Sequence, residues 1–212
     1  MKAPGQPPHD CPLCPRLVAF RQANRAKYPD WFNGPVPSFG PLTARILIAG
    51  LAPGLQGANR TGRPFTGDWA GDLLYATLIK LGLARGVYDE RPDDTLELVD
   101  CRIANAVRCV PPQNKPEPSE IKTCRQFLIS ELDALPHVNV ILALGKIAHD
   151  SVLITLGAKI SAHPFKHGSV YDIGKFKLIS SYHCSRYNTN TRRLTTEMFE
   201  DVVGQAKSLI QK

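Results

Sequence analysis

No apolar run in the 212-residue chain approaches the length that crosses a bilayer. Met1-Lys2-Ala3-Pro4-Gly5-Gln6-Pro7-Pro8 has no apolar core of the kind a secretory signal carries. The expectation is a cytoplasmic protein that is not secreted and has no membrane partner. Gly-Lys-Ser/Thr is missing, so a phosphate-binding P-loop would lack both its lysine and its metal-binding hydroxyl. The Gly-x-Gly-x-x-Gly spacing of dinucleotide folds is missing too. There is no internal repeat and no low-complexity segment. These absences argue against membrane proteins, nucleotide-driven enzymes, dinucleotide enzymes and repeat scaffolds.

What is present is ordinary in amount and uneven in placement. Hydrophobic residues make up 43%, enough for one domain spanning residues 1–212, and the 18 prolines suggest long ordered loops. The net charge is +7, and most of it is local: residues 146–193 hold eight Lys/Arg against two Asp. A solvated basic face would account for that, and so would a surface for phosphates. Six cysteines in a chain without an export signal point to metal or redox use rather than disulfides.

One stretch organises the rest. Residues 45–49 form a short apolar run with the length of a buried strand, and residues 70–81 repeat apolar positions at helical spacing up to Gly82. Between them lies a loop with five glycines, beginning Gly50-Leu51-Ala52-Pro53-Gly54 and ending Arg63-Pro64-Phe65-Thr66-Gly67-Asp68. A strand leading through glycines into a helix is where α/β proteins bind ligands. The loop offers an aromatic expected to be exposed, Phe65, and a carboxylate, Asp68, beside two arginines.

The remaining elements follow the same rhythm. Residues 18–30 read as a helix, 83–101 as a polar connection, and 101–107 as a second strand bringing Asn105 level with the glycine loop. A proline-rich loop at 111–118 precedes a helix beginning at Ser119. Residues 137–144 make a third strand, 147–156 a helix, 160–175 an irregular or short-hairpin stretch, and 176–182 a fourth strand ending at His183. A polar loop at 183–193 leads into the last helix, 194–210. The expected fold is a four-stranded parallel sheet with helices on both faces, a three-layer αβα sandwich. Cys11-Pro12-Leu13-Cys14 reads as a redox pair, half a zinc site or part of an iron–sulfur site.

Three segments together resemble the uracil-DNA glycosylase superfamily, most closely its family 5 (type B) branch. They are the loop from Gly50 to Asp68, then Asn105-Ala106-Val107-Arg108-Cys109, and His183-Cys184-Ser185 with residues 188–195. The resemblance spans nearly the whole chain, and the long first motif is specific. Where the family usually shows His-Pro-Ser, this chain has Cys184 in the middle position.

The resemblance implies a monomeric, nucleoid-associated repair enzyme acting on DNA that contains uracil or other deaminated bases. It assigns catalysis to His183, Asp68 and Asn105: a donor to the leaving base, a carboxylate for water, and an amide reading the base edge. Other branches place a water-activating side chain where this chain has Leu51 and Ala52, which leaves Asp68 as the nearest carboxylate in the motif. Gly50, Ala52, Gly54, Phe65 and Asn105 would line the base pocket, with Phe65 stacking on the base. Ser185, Arg186, Tyr187, Asn188, Arg192 and Arg193 would meet DNA. Cys11, Cys14, Cys109 and Cys124 fit the family's four-cysteine pattern for a structural [4Fe–4S] cluster; Cys101 and Cys184 stand outside it. The alternative is a metal-stabilised nucleic-acid-binding protein without catalysis.

Overall fold

The computed structural model describes residues 5–210, so the first four residues of the segment read for an export signal lie outside it. A first helix, α1 (Pro15–Lys27), begins with proline at its start, where the missing N–H costs nothing. Strand β1 (Ile46–Gly50) then enters the core, with every residue buried. The glycine loop contains a one-turn helix, α2 (Ala58–Thr61), before α3 (Trp69–Lys80). The polar connection pairs two short strands, β2 (Ala84–Arg85) and β3 (Glu97–Leu98). Next come β4 (Cys101–Asn105), α4 (Pro118–Asp133), β5 (Val140–Leu144) and α5 (Lys146–Thr155). The chain closes with β6 (Val170–Ile173), β7 (Phe176–Ser181), α6 (Arg186–Asn190) and α7 (Thr196–Ile210).

The main sheet has five strands in the order β4-β1-β5-β7-β6. The four expected strands are parallel, and β6 adds an antiparallel edge to β7, which corrects the four-stranded expectation. The hairpin begins inside the stretch read as irregular or a short hairpin, where Gly174 turns β6 back into β7. Strand residues alternate between two apolar layers. Ile46 and Ile48 meet α3 and α7 on one face, while Leu47 and Ala49 meet α4 and α5 on the other. Both layers are fully covered, as a parallel sheet requires. No helix among the described residues is long and apolar enough to cross a membrane.

Three buried ion pairs in two clusters brace this frame. Glu131 of α4 is fully buried between Arg102 and Arg108, tying both arginines of the β4 region to the helix behind. Arg63 grips Asp94 with two hydrogen bonds of 2.7 Å each. Its guanidinium also lies over the rings of Phe39, Tyr75 and Tyr88. Arg63, one of the two arginines of the glycine loop, thus serves to hold that loop down.

Because β1, β4, β5 and β7 run parallel, their carboxyl ends share one edge of the sheet. Gly50 is in register with Asn105, and Leu144 with Ser181, two residues before His183. From β1 the chain passes over one face of the sheet, and from β4 and β5 over the other. Such a divide opens a crevice at the strand ends.

Candidate active site

A cavity of about 370 Å³ fills that crevice. Its wall comes from Leu51, Ala52, Pro53 and Gly54 after β1, Asn105 at the end of β4, and His183 after β7, with Phe65 and Asp68 from the glycine loop. Three segments far apart in sequence therefore meet at one place.

Gly50 makes the meeting possible. A β-carbon there would stand 2.3 Å from Asn105 Oδ1 and 2.9 Å from Phe65 Cζ, so any side chain would push both out. Phe65 adopts a left-handed backbone (φ 52°) to turn its ring inward. It is only 7% exposed, which overturns the expectation of an exposed ring; the aromatic forms part of the wall and of the core behind it. Its ring centre lies 5.9 Å from that of His183, nearly parallel.

Asn105 is 3% exposed, yet its amide takes no hydrogen-bond partner among the described residues, its buried Oδ1 included. A buried amide left open costs stability unless something else satisfies it. His183 also offers its ring to the cavity without a partner among those residues. Its backbone carbonyl is pinned by Asn188, whose Nδ2 donates at 2.8 Å. Although the ring keeps some accessible surface, the surrounding protein pushes the imidazole down to about 4, so it is neutral at pH 7. Asp68 goes the other way: burial raises its carboxyl above the usual range, partly offset by the N–H groups of Gly71 and Ala70. It is also the N-cap of α3, accepting from Gly71 N at 3.3 Å. Asp68 therefore caps α3 and lines the cavity at once.

The polar loop after His183 is partly helical rather than irregular. Ser185 caps α6, accepting from Asn188 N, so Ser185 and Asn188 hold the turn together while Arg186 and Tyr187 project outward. Ser185 and Arg186 line the cavity mouth, and Tyr187 is 71% exposed. Arg192 and Arg193 lie beyond it; Arg193 stacks over Tyr182 and borders a neighbouring groove with Lys146. Cys184 is buried, its thiol donating to the Ala70 carbonyl at 3.4 Å, which fixes the loop where a proline would otherwise stiffen it. Among the wall residues that sequence reasoning did not assign to the site are Trp69 and Asn114, along with the apolar Pro53, Ala58 and Ala70. Asn114 sits in the proline-rich loop with a left-handed backbone (φ 56°), a conformation that asparagine tolerates.

Away from the crevice, Cys11, Cys14, Cys109 and Cys124 all line one small enclosed pocket between α1, α4 and the loop after β4. None of the four is joined in a disulfide. Arg21 Nη1 approaches Cys109 Sγ at 3.6 Å, and the backbone N–H of Arg108 donates to Cys124 Sγ at 3.3 Å. Burial pushes the Cys109 thiol up to about 11 and the Cys124 thiol up to about 12, values that a bound cation would reverse. As the side chains stand, no group of three or more His, Cys, Asp or Glu among the described residues is arranged to hold a metal ion. Four cysteines around one pocket, with N–H donors near the sulfurs, match in kind the ligands that a Cys₄ zinc site or a Cys₄ iron–sulfur cluster uses. Cys101 is buried in the core, apart from them.

Residues 37–207 match the family described as the Uracil DNA glycosylase superfamily. The chain is 49% identical to the Type-5 uracil-DNA glycosylase of Thermus thermophilus, covering 94% of this chain and 93% of that protein. It is 40% identical to the Type-5 uracil-DNA glycosylase of Pyrobaculum aerophilum, covering 93% and 88%. A Type-4 uracil-DNA glycosylase from Archaeoglobus fulgidus is 32% identical over 70% of this chain and 69% of its own length.

Proposed function

Since the chain belongs to the uracil DNA glycosylase superfamily, we propose that it turns uracil out of DNA and hydrolyses the bond to deoxyribose, leaving an abasic site. The observation that carries this reading is Asn105, a nearly buried amide that the protein itself leaves unsatisfied in the cavity. An amide presents one donor and one acceptor, the complement of a uracil edge. Satisfying it with the right base recovers a cost the empty fold bears.

The chemistry follows from the other wall residues. The flipped base stacks on Phe65 beside Gly50, Ala52 and Gly54. As the glycosidic bond breaks, its electron pair passes to the base. The neutral His183 imidazole donates a hydrogen bond to the oxygen where that charge collects, a contribution of roughly 2.7–4 kcal/mol in comparable sites. Water adds to the sugar carbon and gives up its proton, for which Asp68 is the carboxylate on hand. Leu51 and Ala52 can do neither. The walls of Leu51, Ala52, Pro53 and Ala58 reject little by polar contact, so other deaminated bases also enter. Ser185, Arg186, Tyr187, Asn188, Arg192 and Arg193 lie on the DNA side, with the arginines meeting phosphates.

Cys11, Cys14, Cys109 and Cys124 would hold a [4Fe–4S] cluster. It would supply no step of the hydrolysis; its role would be to fasten α1 to the loop after β4.

The test is incubation with an oligonucleotide carrying one uracil, followed by alkaline cleavage at abasic sites. Strand cleavage at the uracil position is expected. A bound but intact uracil strand would instead identify a binding protein without catalysis.

A further inference from the structure

Trp69 opens α3 at the rim of the cavity with 44% of its surface exposed. So large an aromatic is seldom left this open. The indole is nonetheless held firmly. Its Nε1 donates to Thr189 Oγ1 at 3.0 Å, and the Arg186 guanidinium lies 4.9 Å from the ring centre. Both anchors belong to α6, the helix that follows His183. The indole thus bridges the glycine loop and the His183 loop, presenting a rigid flat surface where the cavity meets solvent.

We infer that Trp69 is a stacking platform for the nucleobase adjoining the excised one on the same strand, with Arg186 taking the phosphate between them. This rests on the glycosylase reading of the cavity. Depth separates the two aromatics: Phe65 is 7% exposed against Gly50 and Asn105, whereas Trp69 stands outside them at 44%. Rotating one nucleotide out of a strand leaves its neighbour with an uncovered face, and a fixed indole replaces the lost stack. Every base has a π-face, so the platform is indifferent to sequence. It matters most on single strands, where no partner strand holds the neighbour in place.

The chain has two tryptophans, and Trp31 is stacked on Tyr28 with ring centres 3.9 Å apart. In a Trp31→Phe background the emission belongs to Trp69 alone. That protein is titrated with a single-stranded oligonucleotide bearing a tetrahydrofuran abasic residue at its centre, so that no base enters the cavity. Saturable quenching is expected, and it should vanish when the residues on both sides are abasic too. Trp69→Ala should bind the first oligonucleotide roughly 5- to 150-fold more weakly, the worth of one base–aromatic stack, and Trp69→Phe should recover most of it. Quenching that requires 2′-fluoro-2′-deoxyuridine at the centre would overturn the inference and make Trp69 a wall for the excised base. Unquenched emission with undiminished binding by Trp69→Ala would overturn it as well, leaving a latch for α6. Quenching by flanking bases in a wild-type protein that excises no uracil would support the platform and defeat the glycosylase reading.

Discussion

Asp68 occupies the space that a side chain on Gly57 would need: a β-carbon there would stand 2.2 Å from Oδ2. The same oxygen lies 2.9 Å from the corresponding point on Gly54. The carboxylate is therefore clasped by the glycine loop through one oxygen while the other caps α3. Gly57→Ala should displace it without removing it. Misplacement of a reacting group by about 1 Å costs up to 10²-fold. Single-turnover excision should fall toward that limit while affinity for abasic DNA is kept; an unchanged rate would mean that the position of the carboxylate is irrelevant.

The raised carboxyl of Asp68 gives a pH signature. If the ionised form takes the proton from water, excision should rise with pH through a midpoint above the ordinary aspartate range. Asp68→Asn should be slow and lack this limb. The stability effect has the opposite sign: the folded state binds this proton more tightly than the unfolded chain, so stability from the neutral form is lost as pH rises through the folded pKa. A pure cap would instead show normal turnover and a loss of about 0.5–2 kcal/mol for Asp68→Ala.

Arg63 and Asp94 make a buried pair, with side chains 6% and 2% exposed. Burial alone would raise the Asp94 carboxyl, but the Arg63 hydrogen bonds and the N–H groups of Asp89 and Leu96 bring it down to about 2. Arg63→Leu leaves that carboxylate buried and unpaired, which typically costs about 3–5 kcal/mol. Urea melts should show a loss of this size. In the wild type, the pair's contribution is present above the unfolded aspartate range and fades as pH falls toward 2.

The four cysteines around one pocket lead to a compositional prediction. The purified protein should be brown and hold about four irons per chain, as a Cys₄ cubane requires. Cys109→Ser or Cys124→Ser should lower the iron content and the melting temperature together. One zinc and no iron would contradict the cluster.

The four parallel strands were legible as short, mostly apolar runs between breakers, and the helices as apolar positions at helical spacing. The register of Gly50 with Asn105 followed once the strands were taken as parallel. What escaped had no periodic signal. The strands β2 and β3 have two residues each and α2 has four. The inward turn of Phe65 depends on the bare α-carbon of Gly50, a contact between two segments rather than a property of either. The roles of Arg63 and Arg102 were hidden likewise, because Asp94 and Glu131 lie 31 and 29 residues away in the chain. Asp68 showed in the sequence both its carboxylate and its place at a helix start; its clasp by Gly54 and Gly57 required the folded loop.

The measurement that bears most directly on the central claim is single-turnover excision by His183→Ala, with uracil and 5-fluorouracil in the same oligonucleotide. The imidazole is neutral, pushed down to about 4, so in the proposed reaction its part would be that of a hydrogen-bond donor to the leaving base and not of a cation. Loss of one such donor should slow uracil release by roughly 10²–10³-fold. The penalty should shrink for 5-fluorouracil, which leaves more readily and needs less help with its charge, and affinity for abasic DNA should be unchanged. Equal penalties for the two bases, or none for either, would contradict the account and move the chemistry away from His183.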